Sequence, residues 1–356
     1  MIKEGRLNLM NIFEGIKHKP YFTTELGAAY LADTKELIKQ ISDESIDLIM
    51  TSPPFALVRK KSYGNEDEQA YIQWFIENFA YEFKRILKPT GSLVIDIGGA
   101  YKPKRPVRSL YHFELLTELC NGDTGFNLAQ EFYWYNPSKM PSPIQWVNIE
   151  KIRVKDSINP VWWLSKTDRP KANNKNILVP YKASMRRLLK NGYNNGLRPS
   201  QHVVSEKAWQ KDNGGAIPPN FINYNIEEGF EKYIENVYEE YIGKFDEYLL
   251  NKLSEDFSDN LLEIANTSSK DRYLTACKEL GLNTHPARFP ADLPEYFIKF
   301  LTDENDIVFD PFGGSCVTAE VAEKLNRRWI TSEINEEYLK GAKYRFYDLE
   351  EPVNEH

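Results

Sequence analysis

Positive charge is not in excess in this sequence: its 356 residues carry 45 Lys or Arg against 52 Asp or Glu, for a formal net charge of −7. Spread evenly, that balance would argue against a nucleic-acid partner. Cysteine is scarce as well. Cys120, Cys277 and Cys316 form no Cys-x-x-Cys pair and no zinc spacing with the five histidines. Reduced thiols are the default, and a structural metal is not expected. No apolar run reaches the 18 residues of a membrane span, and the first 20 residues lack the apolar core of a signal peptide. The expected compartment is the cytoplasm, without membrane contact. The Gly-x-Gly-x-x-Gly fingerprint of dinucleotide binding is also missing.

What charge there is lies unevenly. From Lys151 to Gln210 there are 13 Lys or Arg against three acids, and from Ile226 to Asn260 there are 11 acids against three lysines. The basic segment suits phosphate, whereas an acidic helix would be repelled by it. Apolar residues at 230, 234, 237, 241, 245 and 248 predict one amphipathic helix in the acidic stretch, placed away from DNA or against a protein.

The most informative stretch is Thr51-Ser52-Pro53-Pro54-Phe55, directly after the apolar run Ile46 to Met50. Such a run predicts a buried parallel strand, and two prolines without N–H groups end it. The motif then stands at a strand's carboxyl end, where open α/β sheets bind ligands. It displays a hydroxyl, a rigid backbone and an aromatic ring. A planar base with an exocyclic amine needs those features: Ser52 and a main-chain carbonyl accept from the amine, and Phe55 stacks on the ring. A Pro-rich turn beside a core aromatic is the plain structural alternative.

Along the chain, Gly27 to Leu31 predicts a strand and Thr34 to Gln40 a helix, with Asp33 either capping that helix or meeting a ligand. Arg59, Lys60 and Lys61 lie in a charged loop after Phe55, suited to phosphates or simply to solvent. A helix is expected over Tyr71 to Leu87, stopping near Pro89-Thr90-Gly91, then a strand from Ser92 to Ile97. The alternation implies a parallel sheet. Phe126 to Trp134 and Asn159 to Leu164 predict two more strands, with Trp134, Trp146, Trp162 and Trp163 as core residues. Arg169 to Gln210 is loop-rich and basic, with one short helix from Ser184 to Lys190; Lys182, Arg186, Arg187 and Arg198 are its candidate DNA contacts.

Helices are expected over Asp271 to Leu280, Glu295 to Thr302, Cys316 to Leu325 and Glu336 to Tyr347, and strands over Asp306 to Phe309 and Trp329 to Thr331. The span from 306 to 333 has the grammar of a nucleotide-binding βαβ unit. Glu333 lies 23 positions after Asp310, near the spacing of about 20 at which an acid meets both ribose hydroxyls. The turn Asp310-Pro311-Phe312-Gly313-Gly314-Ser315 carries a carboxylate, which repels a pyrophosphate but suits a cofactor with a sulfonium and an amino group. S-adenosylmethionine fits that description better than NAD.

With these motifs in hand, the chain resembles the amino-group DNA methyltransferases, in which Asp-Pro-Phe-x-Gly-x is the cofactor motif and Asp, Asn or Ser before Pro-Pro-aromatic is the catalytic motif. The catalytic motif comes first, as in the β group, and Ser52 with Phe55 resembles the N4-cytosine branch of PvuII type. The resemblance covers most of residues 26 to 345. It implies a circularly permuted, Rossmann-like S-adenosylmethionine-dependent α/β sheet with a basic loop-rich target-recognition region and an acidic helical insertion. The implied divisions are 26–168 (catalytic half), 169–225 (target recognition), 226–262 (acidic insertion) and 263–348 (cofactor half).

It further implies catalytic roles for Ser52, Pro53, Pro54 and Phe55. Thr284, His285, Pro286, Ala287 and Arg288 would lie near the methionine carboxylate and Asp33 near the adenine. Cys316, where the family more often has Gly, is a helix-packing residue. The implied substrate is duplex DNA in a restriction-modification system, with a cognate endonuclease acting on the same site without direct contact. Monomer and dimer both stay open. So do N6-adenine methylation by the same architecture and a non-catalytic module of the same fold.

Overall fold

Apolar side chains at Ile46, Leu48, Ile49 and Met50, closed by Pro53-Pro54, make Ile46–Thr51 (β3) a strand with all six residues inside, Asp47 among them. Burying each of Ile46, Leu48 and Ile49 stabilises by about 1.5–3 kcal/mol. The computed structural model describes residues 15–54, 68–136, 139–192, 211–222 and 271–348. Phe55, Arg59, Lys60, Lys61, Arg198 and the expected acidic helix lie outside these residues.

The remaining strands are Phe22–Thr23 (β1), Gly27–Leu31 (β2), Leu87–Asp96 (β4), Asn127–Tyr135 (β5), Ile158–Ser165 (β6), Phe221–Ile222 (β7), Ile307–Asp310 (β8) and Arg328–Glu333 (β9). They form one nine-stranded sheet in the order β1-β2-β9-β8-β3-β4-β6-β5-β7. From β2 to β4 all neighbours are parallel, as the alternation implies. Beyond β4 the sheet turns mixed, with β6 antiparallel to both β4 and β5. The late strands β8 and β9 lie between the early strands β2 and β3, the geometric form of a circular permutation.

Helices cover both faces. One face holds α1 (Thr34–Leu37), α2 (Glu68–Phe75), α3 (Tyr81–Ile86) and α4 (Tyr111–Asn121), whose Leu37, Phe75, Phe83 and Leu115 share a core with Ile49 and Ile95. The other holds α6 (Arg272–Glu279), α7 (Asp292–Leu301), α8 (Val317–Lys324) and α9 (Glu336–Ala342), packed on Leu48, Met50 and Val308. A short basic helix, α5 (Ala183–Asn191), follows β6.

Three expectations about elements need correction. The helix after the loop is interrupted by one π-turn, Ile76–Ala80, between α2 and α3. The chain does not turn at Pro89-Thr90-Gly91, because β4 already begins at Leu87; its pairing with β3 slips between Ile46 and Leu48, so the missing N–H of Pro89 falls in the irregular stretch. Trp134, Trp162 and Trp163 are core residues, but Trp146 is half-buried in a π-helical turn, Gln145–Ile149, against Tyr101, with ring centroids 5.1 Å apart. Among the described residues no helix is long and apolar enough to cross a membrane.

Candidate active site

The chain leaves β3 toward β4 on one side, and β8 toward β9 on the other, so the strand order reverses between β3 and β8. A cleft opens at the carboxyl ends of strands that diverge in this way. Ser52 follows β3 and Asp310 ends β8, and the Thr51 hydroxyl donates to Asp310 Oδ1 at 3.0 Å, tying the two strand ends together.

The cleft is a cavity of about 290 Å³. Ser52, Pro53 and Pro54 line it, as do Asp33, His285, Ala287, Arg288, the whole turn from Asp310 to Ser315, and Glu333. Thr284 and Pro286 are exposed and stand outside its wall. Lys182, Arg186 and Arg187 also lie outside it, on or beside α5.

Glu333 is buried, and each carboxylate oxygen accepts one backbone N–H: Oε1 from Asn335 and Oε2 from Gly314, both at 2.9 Å. Burial raises its pKa. The carboxylate lines the cavity with acceptor capacity to spare. Gly314 has φ +50, and an added Cβ would stand 3.1 Å from the His285 ring. At Gly313 a Cβ would fall 2.1 Å from Thr331 Oγ1, so close packing within the protein already demands that glycine.

The Asp310 carboxylate is less available than its motif suggests. Thr51 and the Phe312 N–H occupy Oδ1, and Thr318 donates to Oδ2 at 2.7 Å. Burial pushes its pKa up to about 6. Asp33 does both things expected of it: it accepts from Lys35 N at 2.9 Å as the cap of α1, and it lines the cavity. Arg288 pairs with Asp271 at 3.1 Å while facing the cavity.

Several residues that matter here carry no motif. The Ser52 hydroxyl donates to Asp96 Oδ2 at 3.2 Å, Asn159 donates to Asp96 Oδ1 at 3.3 Å, and Lys139 donates to Asn159 Oδ1 at 3.1 Å. Burial pushes Asp96 up to about 6 against these hydrogen bonds and the pull of Lys139, and burial lowers Lys139. One sequence signal was present: Asp96 ends an apolar strand, as Asp310 does. Behind the turn, buried Arg345 donates to the Ser315 carbonyl at 2.6 Å and pairs with Glu320 at 2.6 Å and Asp271 at 2.9 Å. Cys316 is fully buried with its thiol pushed far up, which suits packing and not attack.

An aromatic wall completes the cavity, made by Tyr71, Trp74, Phe79 and Phe312. The Tyr71 hydroxyl is buried and has no hydrogen-bond partner among the described residues. An orphaned buried hydroxyl costs about 1–3 kcal/mol unless a ligand satisfies it. Together with Glu333's spare lone pairs and the Gly313-Gly314 turn, it fits a cofactor with a nucleoside and polar groups.

Sheet order and cavity together define the methyltransferase class of doubly wound α/β protein, in its permuted form. The family model for N6 and N4 methyltransferases, described as DNA methylase, matches residues 46–344, and the chain belongs to this family. The Type II methyltransferase M.PvuII of Proteus hauseri is 44% identical over 333 residues, covering 93% of this chain and 86% of that one. M.BamHI of Bacillus amyloliquefaciens, another Type II methyltransferase, is 27% identical over 335 residues, 92% of this chain and 59% of its own. A solved PvuII DNA methyltransferase, titled cytosine-N4-specific, superposes with a TM-score of 0.68 at 39% identity, covering 94% of this chain and 92% of that one.

Proposed function

We propose that the protein transfers a methyl group from S-adenosylmethionine to the exocyclic N4 of a flipped-out cytosine in duplex DNA. One observation carries this reading: the Ser52-Pro53-Pro54 loop and the Asp310-to-Glu333 cofactor residues line a single cavity. The N4-specific title of the similar solved structure supports cytosine as the base. The Type II relatives support a place in a restriction-modification system, where an endonuclease acts on the same site without touching this protein. Residues 26–168 and 263–348 then supply the catalytic and cofactor halves, and 169–225 the target-recognition region.

When bound, the cofactor supplies an electrophilic methyl group whose bond to sulfur breaks as the bond to the amine nitrogen forms. Glu333 accepts from the ribose hydroxyls, the Tyr71 hydroxyl takes a polar group of the cofactor, and the Asp310–Ser315 turn holds the rest against backbone. Phe55 stacks on the extruded base, offsetting part of an extrusion cost of about a few kcal/mol. Arg59, Lys60, Lys61, Lys182, Arg186, Arg187 and Arg198 are assigned to DNA.

Because Ser52 donates its own proton to Asp96, its lone pairs face the cavity and accept from the amine. Ser52 and the Pro53 carbonyl, accepting the two amine protons, favour a pyramidal nitrogen with a free lone pair. As the nitrogen is methylated its extra proton passes to Ser52, which hands its own proton to Asp96. An acceptor with a pKa near the working pH suits that step. The acidic limb follows: above about pH 6 Asp96 is the carboxylate, and transfer fails as pH falls through that value.

The test is nucleoside mass spectrometry of unmethylated genomic DNA after incubation with isotope-labelled cofactor, with Ser52→Ala alongside. Labelled N4-methylcytosine, lost with Ser52→Ala, is the expected result. Labelled N6-methyladenine would move the chemistry to the other base, and cofactor binding without DNA label would leave a binding module.

A further inference from the structure

Two loops flank Asp96 at the edge of the sheet that carries Ser52. One leaves β4 (residues 97–110), and the other connects β5 to β6 (residues 136–157), with Val161 of β6 paired to Asp96. They are built as one body: Arg108 pairs with Asp156, Arg153 donates to the Pro106 carbonyl at 2.6 Å, and Tyr101 packs on Trp146. Together they carry eight Lys or Arg against two acids, in a chain of net charge −7. Of those acids, Asp156 is held by Arg108 and Glu150 accepts from Gln145.

The cations are on display. Lys102, Lys104, Arg105, Lys151 and Arg153 are exposed, and none pairs with an acid among the described residues. The same 139–157 loop carries bare apolar side chains: Val154 is 86% exposed, Met140 75% and Ile149 64%. Exposed cations and exposed apolar side chains on the same loops suit a partner that is anionic outside and flat and apolar inside, which describes a nucleic-acid duplex. Its continuity with Ser52 through Lys139, Asn159 and Asp96 places that partner beside the reacting base.

We infer that these two loops form a DNA-holding surface outside the segment 169–225, with Lys102, Lys104, Arg105, Lys151 and Arg153 on phosphates and Val154 against sugar and base faces. The inference rests on the reading that duplex DNA is the substrate. It gives the negative chain a positive rim where the chemistry is, and it explains why a loop of a cytosolic-type enzyme leaves valine and methionine bare.

The experiment compares Lys104→Gln/Lys151→Gln, which leaves the Arg153 tie intact, with a control of equal charge change on exposed lysines elsewhere, Lys39→Gln/Lys278→Gln. Duplex affinity across a salt series, KM for DNA and cofactor Kd are measured for both and for Val154→Asp. The expected result is duplex binding weakened roughly tenfold at 0.1 M salt, with the log–log salt slope shallower by about two, for the loop variant only. Val154→Asp also raises KM for DNA, and cofactor Kd stays unchanged in all. Unchanged duplex affinity and slope in the loop variant, or an equal loss in the control, would overturn the inference. So would tight binding of the wild type to anionic lipid vesicles that duplex DNA does not displace. If the wild type methylates no DNA, the substrate reading fails first, and separately.

Discussion

At the amino-terminal edge of the sheet, acids are matched with cations: Asp47 with Lys88 at 2.7 Å, Glu44 with Lys166 at 3.2 Å, and Asp303 and Asp306 with Lys171 at 2.6 Å. At the carboxyl-terminal edge, Asp96, Asp310 and Glu333 are buried too, yet their direct hydrogen bonds come from hydroxyls, an amide side chain and backbone N–H groups. Among the described residues no cation pairs with these three. An ion pair cancels a carboxylate's field, whereas neutral donors orient it and leave its charge for ligands and protons. One edge holds strands in place; the other is poised for chemistry.

The sharpest way to break this contrast is Asp96→Asn. Methyl transfer should fall about 10²–10⁴-fold, the range of a lost general base, with cofactor Kd unchanged. Thermal stability at pH 7 should not drop with it. Asp96's folded pKa, about 6, lies above its ordinary value, so the buried charge costs stability as pH rises through that value. A melting curve and a single-turnover rate on the same sample separate the two effects.

Glu333→Gln should weaken cofactor binding by roughly 10–100-fold, as expected for hydrogen bonds to a charged group, with smaller effect on the rate at saturation. Titration calorimetry reads this directly. On the opposite edge, Lys88→Met leaves Asp47, among the described residues, with only the Ile307 N–H at 2.9 Å. Urea unfolding should show a loss of about 1–3 kcal/mol while cofactor Kd stays fixed. Were Lys88→Met to impair cofactor binding as strongly as Glu333→Gln does, the two edges would not be functionally separate.

The smallest effect is also the most diagnostic in sign. Tyr71→Phe removes a hydroxyl that has no partner among the described residues. The cofactor-free protein should gain slightly in stability, while cofactor affinity falls by a factor of about 3–10, the worth of one neutral hydrogen bond. A loss of stability without loss of affinity would place the hydroxyl's partner elsewhere.

Much of the carboxyl edge could be read before any coordinates. Strand β3 ending in Pro53-Pro54, and β8 ending in a turn of small residues 23 positions before Glu333, follow from apolar runs and backbone chemistry that act locally. What could not be read is what arrives from far along the chain. Asn159 lies 63 positions from Asp96, and Arg345 is 30 from the Ser315 carbonyl it holds. Helix α4 went unread, and β4 was started too late because Pro89 looked like a stop; only the slipped pairing with β3 explains its place in a strand. Asp310 is legible only in part: its motif advertises a ligand-facing carboxylate and the residue does line the cavity, but the donors Thr51, Phe312 and Thr318 could not be read from the motif.

The measurement that tests the account most directly is the single-turnover rate of methyl transfer to duplex DNA at saturating cofactor, from pH 5 to pH 8, for the wild type and Asp96→Asn. With Asp96 as the proton acceptor, the wild-type rate should be flat above about pH 6 and fall about tenfold per unit below it, and Asp96→Asn should be slow without that limb. A wild-type rate independent of pH down to 5, or an Asp96→Asn enzyme as fast as the wild type, would contradict it.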